Sequence, residues 1–119
     1  ADGKMTVAGY INDFSTRIII DPVSENSFID GTVVLDLLKK GAIDRNDFEK
    51  DLEEVIIDEQ VMDNAKIVLE KIRLGETVIT DAWISVRNDN GQAFILGKDL
   101  LEKIGTFLVD EDNRMIIFK

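Results

Sequence analysis

The chain has 119 residues, 45% of them apolar, and its 14 basic and 24 acidic side chains leave a formal charge of −10. That suits one compact domain over residues 1–119 and is too short for two of ordinary size, and the negative charge argues against nucleic acid or an anionic membrane surface as a partner. Cysteine and histidine are absent, which excludes thiol nucleophiles, Ser-His and Cys-His dyads, and thiolate or imidazole metal sites; no metal or cofactor is expected, and carboxylates are the main acid–base groups left.

In chain order, Met5–Ile11 alternates as a strand, Asn12-Asp13 is a turn signal, and residues 15–20 return as a β-branched strand that ends at Asp21. This hairpin is expected to aim Asp21 outward. Asp30 is a good N-cap for a helix through Val33, Val34, Leu37 and Leu38, with Lys39, Lys40 and Gly41 as its cationic, glycine-closed end. Residues 44–57 divide into a helical turn or two, capped by Asp44, and then a strand. The acidic run 49–59 reads as a solvated face. Residues 62–73 and Thr77–Val86 read as strands around Leu74-Gly75-Glu76, with Trp83 in core or dimer packing, and residues 87–91 read as a turn. An apolar strand over 93–97 stops at Gly97, a short helix over 98–104 closes at Gly105, and strands at 106–109 and 114–118 flank a turn at 110–113. No apolar run approaches the roughly 20 residues that span a bilayer, and residues 1–15 lack a basic start followed by an apolar core. The chain reads as soluble, and its start at Ala1 suits a piece of a longer or processed protein.

One arrangement occurs twice: strand, sharp polar or glycine turn, then helix, at residues 15–40 and again at 92–104. In the first copy, Ile18-Ile19-Ile20-Asp21-Pro22-Val23-Ser24-Glu25-Asn26-Ser27-Phe28-Ile29 resembles, without a gap, the active-site segment of retroviral-type aspartic proteases, in which three apolar residues precede Asp-Thr/Ser-Gly-Ala and a Ser. In the second, Ile95-Leu96-Gly97-Lys98-Asp99-Leu100-Leu101 is similar to the apolar-apolar-Gly motif and helix of that family's second half. Gly105-Thr106-Phe107 with Asp110 and Ile116-Ile117-Phe118 resembles the strand pair that closes bacterial members. The resemblance covers nearly the whole chain. It implies a mostly β fold, a single-lobe retropepsin-like acid protease barrel with one or two short helices, in which the loop 21–27 lies beside Ile95, Leu96 and Gly97.

The same resemblance implies a role for Asp21 as the catalytic carboxylate. An aspartic protease holds two carboxylates that share one proton across a water, because two like charges in contact cannot both ionise. One lobe supplies one carboxylate, so an enzyme of this size would be a homodimer that sets Asp21 against its twin. The terminal strands, Met5–Ile11 and residues 114–118, are expected to present apolar edges for that pairing. Residues around 58–63 fall where the family keeps its flap, and Ser24, Asn26 and Ser27 are candidates to hydrogen-bond a peptide backbone, against the ordinary alternative that they satisfy their own turn.

Pro22 and Val23 stand where the family has Thr or Ser and then Gly. The family's hydroxyl donates across the dimer, and its glycine lets the backbone lie flat against the acid and the water. Proline has neither hydroxyl nor N–H, and valine adds a stiff branched side chain. The expectation is a degenerate protease homologue that serves as a dimerisation or peptide-binding module; the alternative is an active endopeptidase using Asp21 from each of two chains.

Overall fold

The computed structural model describes residues 5–88, 94–104, 107–110 and 115–118, with Ile104 and the last two segments described by backbone alone. Its centre is a closed barrel of six strands in the order β1 (Met5–Ile11), β2 (Phe14–Ile20), β8 (Phe94–Leu96), β3 (Phe28–Ile29), β7 (Thr77–Val86) and β6 (Lys66–Leu74). Two small antiparallel pairs lie outside it, β4 (Ile56–Ile57) with β5 (Gln60–Val61), and β9 (Phe107–Asp110) with β10 (Met115–Phe118).

The β1–β2 hairpin forms because its inward residues alternate and its turn accepts a left-handed backbone. Ile11, Ile18 and Ile20 are fully buried, and Asn12 and Asp13 take φ of 47° and 72°, the primed turn that matches strand twist. Asn12 also closes the barrel's side: its Oδ1 accepts from Lys71 N–H at 2.8 Å and its Nδ2 donates to the Ala42 carbonyl at 2.8 Å.

Helix α1 (Gly31–Lys39) runs as the sequence predicts. The Asp30 carboxylate accepts from Thr32 N–H at 2.9 Å and from the Thr32 hydroxyl, Val34 and Leu37 face the core, and the chain leaves through Gly41 at φ 77°. The predicted split of residues 44–57 is also found, as a 3₁₀ turn at Arg45–Asp47 capped by Asp44, helix α2 (Leu52–Val55), and then β4. The acidic residues 49, 51, 53, 54, 58 and 59 are exposed.

Strand β6 begins at Lys66 instead of at 62. Residues 62–65 form a turn with Asn64 at φ 70°, so the Asp63-Asn64 pair overrides the apolar alternation around it. Farther along, β6 and β7 change phase together. Ile67 and Leu69 point inward and then Ile72; opposite them Ile84 and Ala82 point inward and then Ile79. The shift falls at Glu70 and Asp81, where Asp81 takes φ 50°. This kink lets one hairpin pair with β1 at one end, Ile11 opposite Ile72, and with β3 at the other, Phe28 opposite Ser85.

A further expectation is corrected. Trp83 is 52% exposed, because Ala82 and Ile84 take the inward positions and alternation turns the indole outward; it is not a core residue. Strand β1 pairs with β2 along its length but with β6 only at Tyr10 and Ile11, so the other side of residues 5–9 has no strand partner among the described residues. Residues 89–93, Gly105, Thr106 and 111–114 lie outside the described residues, and with them the tip of the predicted 87–91 turn, Ala93, the glycine expected to close the last helix, and most of the 110–113 turn. No described helix is long and apolar enough to cross a membrane.

Candidate functional site

The two strand–turn–helix copies meet at the end of the barrel. β2 and β8 run parallel with Ile19 opposite Ile95 and Ile20 opposite Leu96, and Asp21 N–H extends the ladder to the Leu96 carbonyl at 3.0 Å. Beyond this point the strands part into the 21–27 loop and the Gly97 turn, which lie side by side as the repeat predicted. Lys98 N–H donates to the Ser24 carbonyl at 2.8 Å and Asp99 N–H to the Glu25 carbonyl at 3.2 Å, while the Lys98 ammonium stands 3.5 Å from the Glu25 carboxylate.

Gly97 is there because nothing larger fits. A Cβ on it would lie 2.4 Å from the Asn26 carbonyl oxygen and 2.8 Å from that of Ser24. Phe94 and Leu96 place this glycine by packing into the barrel, both fully buried, while Ile95 between them is partly buried on the opposite face. Ser27, 2% exposed, locks the two turns together: Gly97 N–H donates to its Oγ at 2.8 Å, its hydroxyl donates to Asp99 Oδ1 at 2.5 Å, and its own N–H donates to Asp99 Oδ2 at 3.2 Å. Asp99 also accepts from Leu100 N–H at 2.8 Å, anchoring helix α3 (Lys98–Leu101). Helix α3 runs on into a 3₁₀ turn at Glu102–Ile104.

Asp21 sits at the strand end, 8% exposed. Its Oδ1 accepts from Val23 N–H at 3.1 Å and from Ser24 N–H at 3.3 Å, so two backbone donors orient the carboxylate. Val23 does not spoil this. Its N–H still reaches the acid, its φ is not positive, and its side chain, 71% exposed, is turned to solvent at the tip of the loop. Pro22 contributes no N–H and no hydroxyl. The loop thus retains an oriented, nearly buried acid and presents only apolar side chains in the two positions after it.

Of the other candidate site residues, Ser24 donates its hydroxyl to the Asn26 carbonyl at 2.8 Å, and the Ser27 hydroxyl is spent on the lock just described. The Asn26 side chain makes no hydrogen bond among the described residues. It lines a recess on the barrel's outer face with Trp83, Lys66 and Ser85.

The region expected to hold a flap is the β4–β5 hairpin, Ile56 opposite Val61, turned through Asp58 and Glu59 at φ 52° and 63°. Asn88 ties it to helix α1. Its Nδ2 donates to the Val61 carbonyl at 2.7 Å, and its Oδ1 accepts from Gly31 N–H at 3.1 Å. Sequence reasoning missed Asn88 and Asp99. Each acts on residues 27 to 72 positions away, and such pairings leave no local pattern.

No protein-family model and no curated protein sequence matches the chain. Solved structures do. The retroviral protease-like domain of Ddi1 from Leishmania major superposes with a TM-score of 0.68 at 16% identity, over 97% of this chain and 83% of that one. A retropepsin-like aspartic protease from Rickettsia conorii gives 0.61 at 18% identity, over 98% and 80%. EIAV protease complexed with the inhibitor HBY-793 gives 0.58 at 21% identity, over 88% and 91%. The chain therefore has a retropepsin-like fold, and its six-stranded barrel with short helices is the architecture the sequence implied.

Proposed function

We propose that the protein is a catalytically degenerate retropepsin homologue that acts as a homodimeric, peptide-binding module with little or no peptidase activity. The observation that carries this reading is the state of the Asp21 loop, an oriented carboxylate followed by a proline without donor or hydroxyl and by an outward valine. Cleavage by an acid dyad needs a second carboxylate and a polarised water held between the two. In a twofold pair, two Pro22 residues offer no hydroxyl with which to clamp the loops, and two Val23 side chains bring apolar bulk beside the carboxylates. Peptide binding needs less, because backbone groups at a groove's rim and apolar walls suffice for it.

The alternative, an active endopeptidase with Asp21 from each chain, draws on one specific observation: the Val23 N–H to Asp21 bond survives without the glycine. Turnover of a mixed peptide library from acidic to neutral pH separates the two readings. The parent protein is expected to cleave no faster than its Asp21→Asn variant. Cleavage by the parent that disappears in Asp21→Asn would establish the enzyme. Sedimentation at high micromolar concentration reads the assembly, and a strictly monomeric chain would remove the dimer.

A further inference from the structure

Strand β7 turns Trp83 outward above a recess of about 390 Å³ on the outer face of β3, β6 and β7. Register places Phe28, Ser85 and Lys66 in one cross-strand row, with Trp83 opposite Val68 beside it. Among the described residues, the Asn26 and Asn64 amides, the Ser85 hydroxyl and the Lys66 ammonium make no hydrogen bond or ion pair. Asp99 also lines the recess, but its oxygens are taken by Ser27 and Leu100. Next to it the Arg87 guanidinium lies 3.7 Å over the Phe28 ring, a stack that fixes the cation while leaving its N–H edge open. Arg87 is likewise in no ion pair among the described residues.

In a chain of net charge −10, two cations free of ion pairs among the described residues stand beside an exposed indole, and Asp99 is the one acidic side chain lining the recess. We infer that this face docks an acidic peptide segment of a partner protein: carboxylates on Lys66 and Arg87, an apolar side chain against Trp83, and peptide amides on Asn26 and Asn64. Charge complementarity selects the occupant, since a basic segment would meet Lys66 and Arg87 while the acidic remainder of the surface lay elsewhere. Aromatic and arginine side chains are the usual anchors of such contacts. Asn26 and Ser27 of the Asp21 loop line this recess whereas Asp21, Pro22 and Val23 do not, so the test must separate docking here from binding at the acid.

The test immobilises the parent protein and passes over it a randomised library of N-acetylated, C-amidated hexapeptides. Peptides combining Asp or Glu with Leu or Phe should be retained at least about tenfold better by the parent than by a Lys66→Glu/Arg87→Glu variant, both positions being exposed. Val23→Glu, which sets a repelling charge at the exposed tip of the Asp21 loop, should retain them like the parent. Because Trp83 is the only tryptophan, a resynthesised acidic peptide should also shift its fluorescence. Equal retention by the charge-reversed variant, enrichment of basic or neutral peptides, retention of none, release by Val23→Glu, or binding with unchanged fluorescence would each overturn the inference.

Discussion

The two strand–turn segments at the barrel's end differ in what their turns are used for. At Gly97 the conformation is dictated by contact, with two backbone carbonyls where a Cβ would go. At Val23, the second residue after the acid, a branched side chain is accommodated because it points into solvent and its N–H keeps its bond to Asp21. The difference teaches which parts of a resembling motif belong to the fold and which to chemistry. Packing enforces the apolar-apolar-Gly turn and the Ser27 lock; nothing in the packing of the described residues enforces a hydroxyl at 22 or a glycine at 23.

If that division is right, chemistry can be put back without disturbing the frame. The largest expected effect is in turnover: Pro22→Thr with Val23→Gly should raise peptide cleavage above the parent's background, and adding Asp21→Asn should abolish the gain. In the proposed homodimer, Thr would supply a cross-dimer donor and Gly a flat approach to the acid. Silence in both variants would mean that the loss extends beyond these two positions.

A smaller effect is expected on the structural side of the comparison. Ser27→Ala strands the Gly97 N–H and removes a donor from Asp99, which should cost about 2 kcal/mol in denaturant unfolding. Ser27→Thr, which keeps the hydroxyl, should recover most of it. A Ser27→Ala protein as stable as the parent would show that the two turns do not depend on this lock.

The smallest effect lies far from both turns and calibrates them. The Lys71 ammonium, 2.9 Å from Asp13, hydrogen-bonds and attracts its carboxylate and holds that group below the usual aspartate range. A depressed folded-state pKa contributes stability above the unfolded value, lost as pH falls through the folded one. Asp13→Asn should therefore lower Tm slightly near neutral pH, with the difference from the parent fading as pH falls through the depressed folded-state value. A difference that grows in acid would reverse the sign and contradict the pairing. The group is fully exposed, so salt should weaken the effect.

Much of the frame was legible because its signals are local. Asp30 and Gly41 bracket α1, Asn12-Asp13 turns the first hairpin, and the gap-free run from Ile18 to Ile29 fixed where the acid stands. The errors arose where two local signals competed. Apolar alternation from Met62 onward hid the Asp63-Asn64 turn, and Trp83, read from its place on an alternating strand as core or dimer packing, is kept out of the core because Ala82 and Ile84 take the inward positions. The Ser27–Asp99 and Asn88–Val61 contacts were illegible for a different reason. They depend on which segments the barrel brings together, and no spacing along the chain records that.

The most direct test of the division between fold and chemistry is the unfolding free energy of two single substitutions, Gly97→Ala and Val23→Gly, measured under identical conditions in urea. Gly97→Ala should cost about 3 kcal/mol, since the new methyl meets backbone that cannot step aside. Val23→Gly should cost about 1 kcal/mol or less, chiefly from the greater freedom of the unfolded chain. Equal costs, or a larger loss at position 23, would show that the valine is part of the frame and would contradict the account.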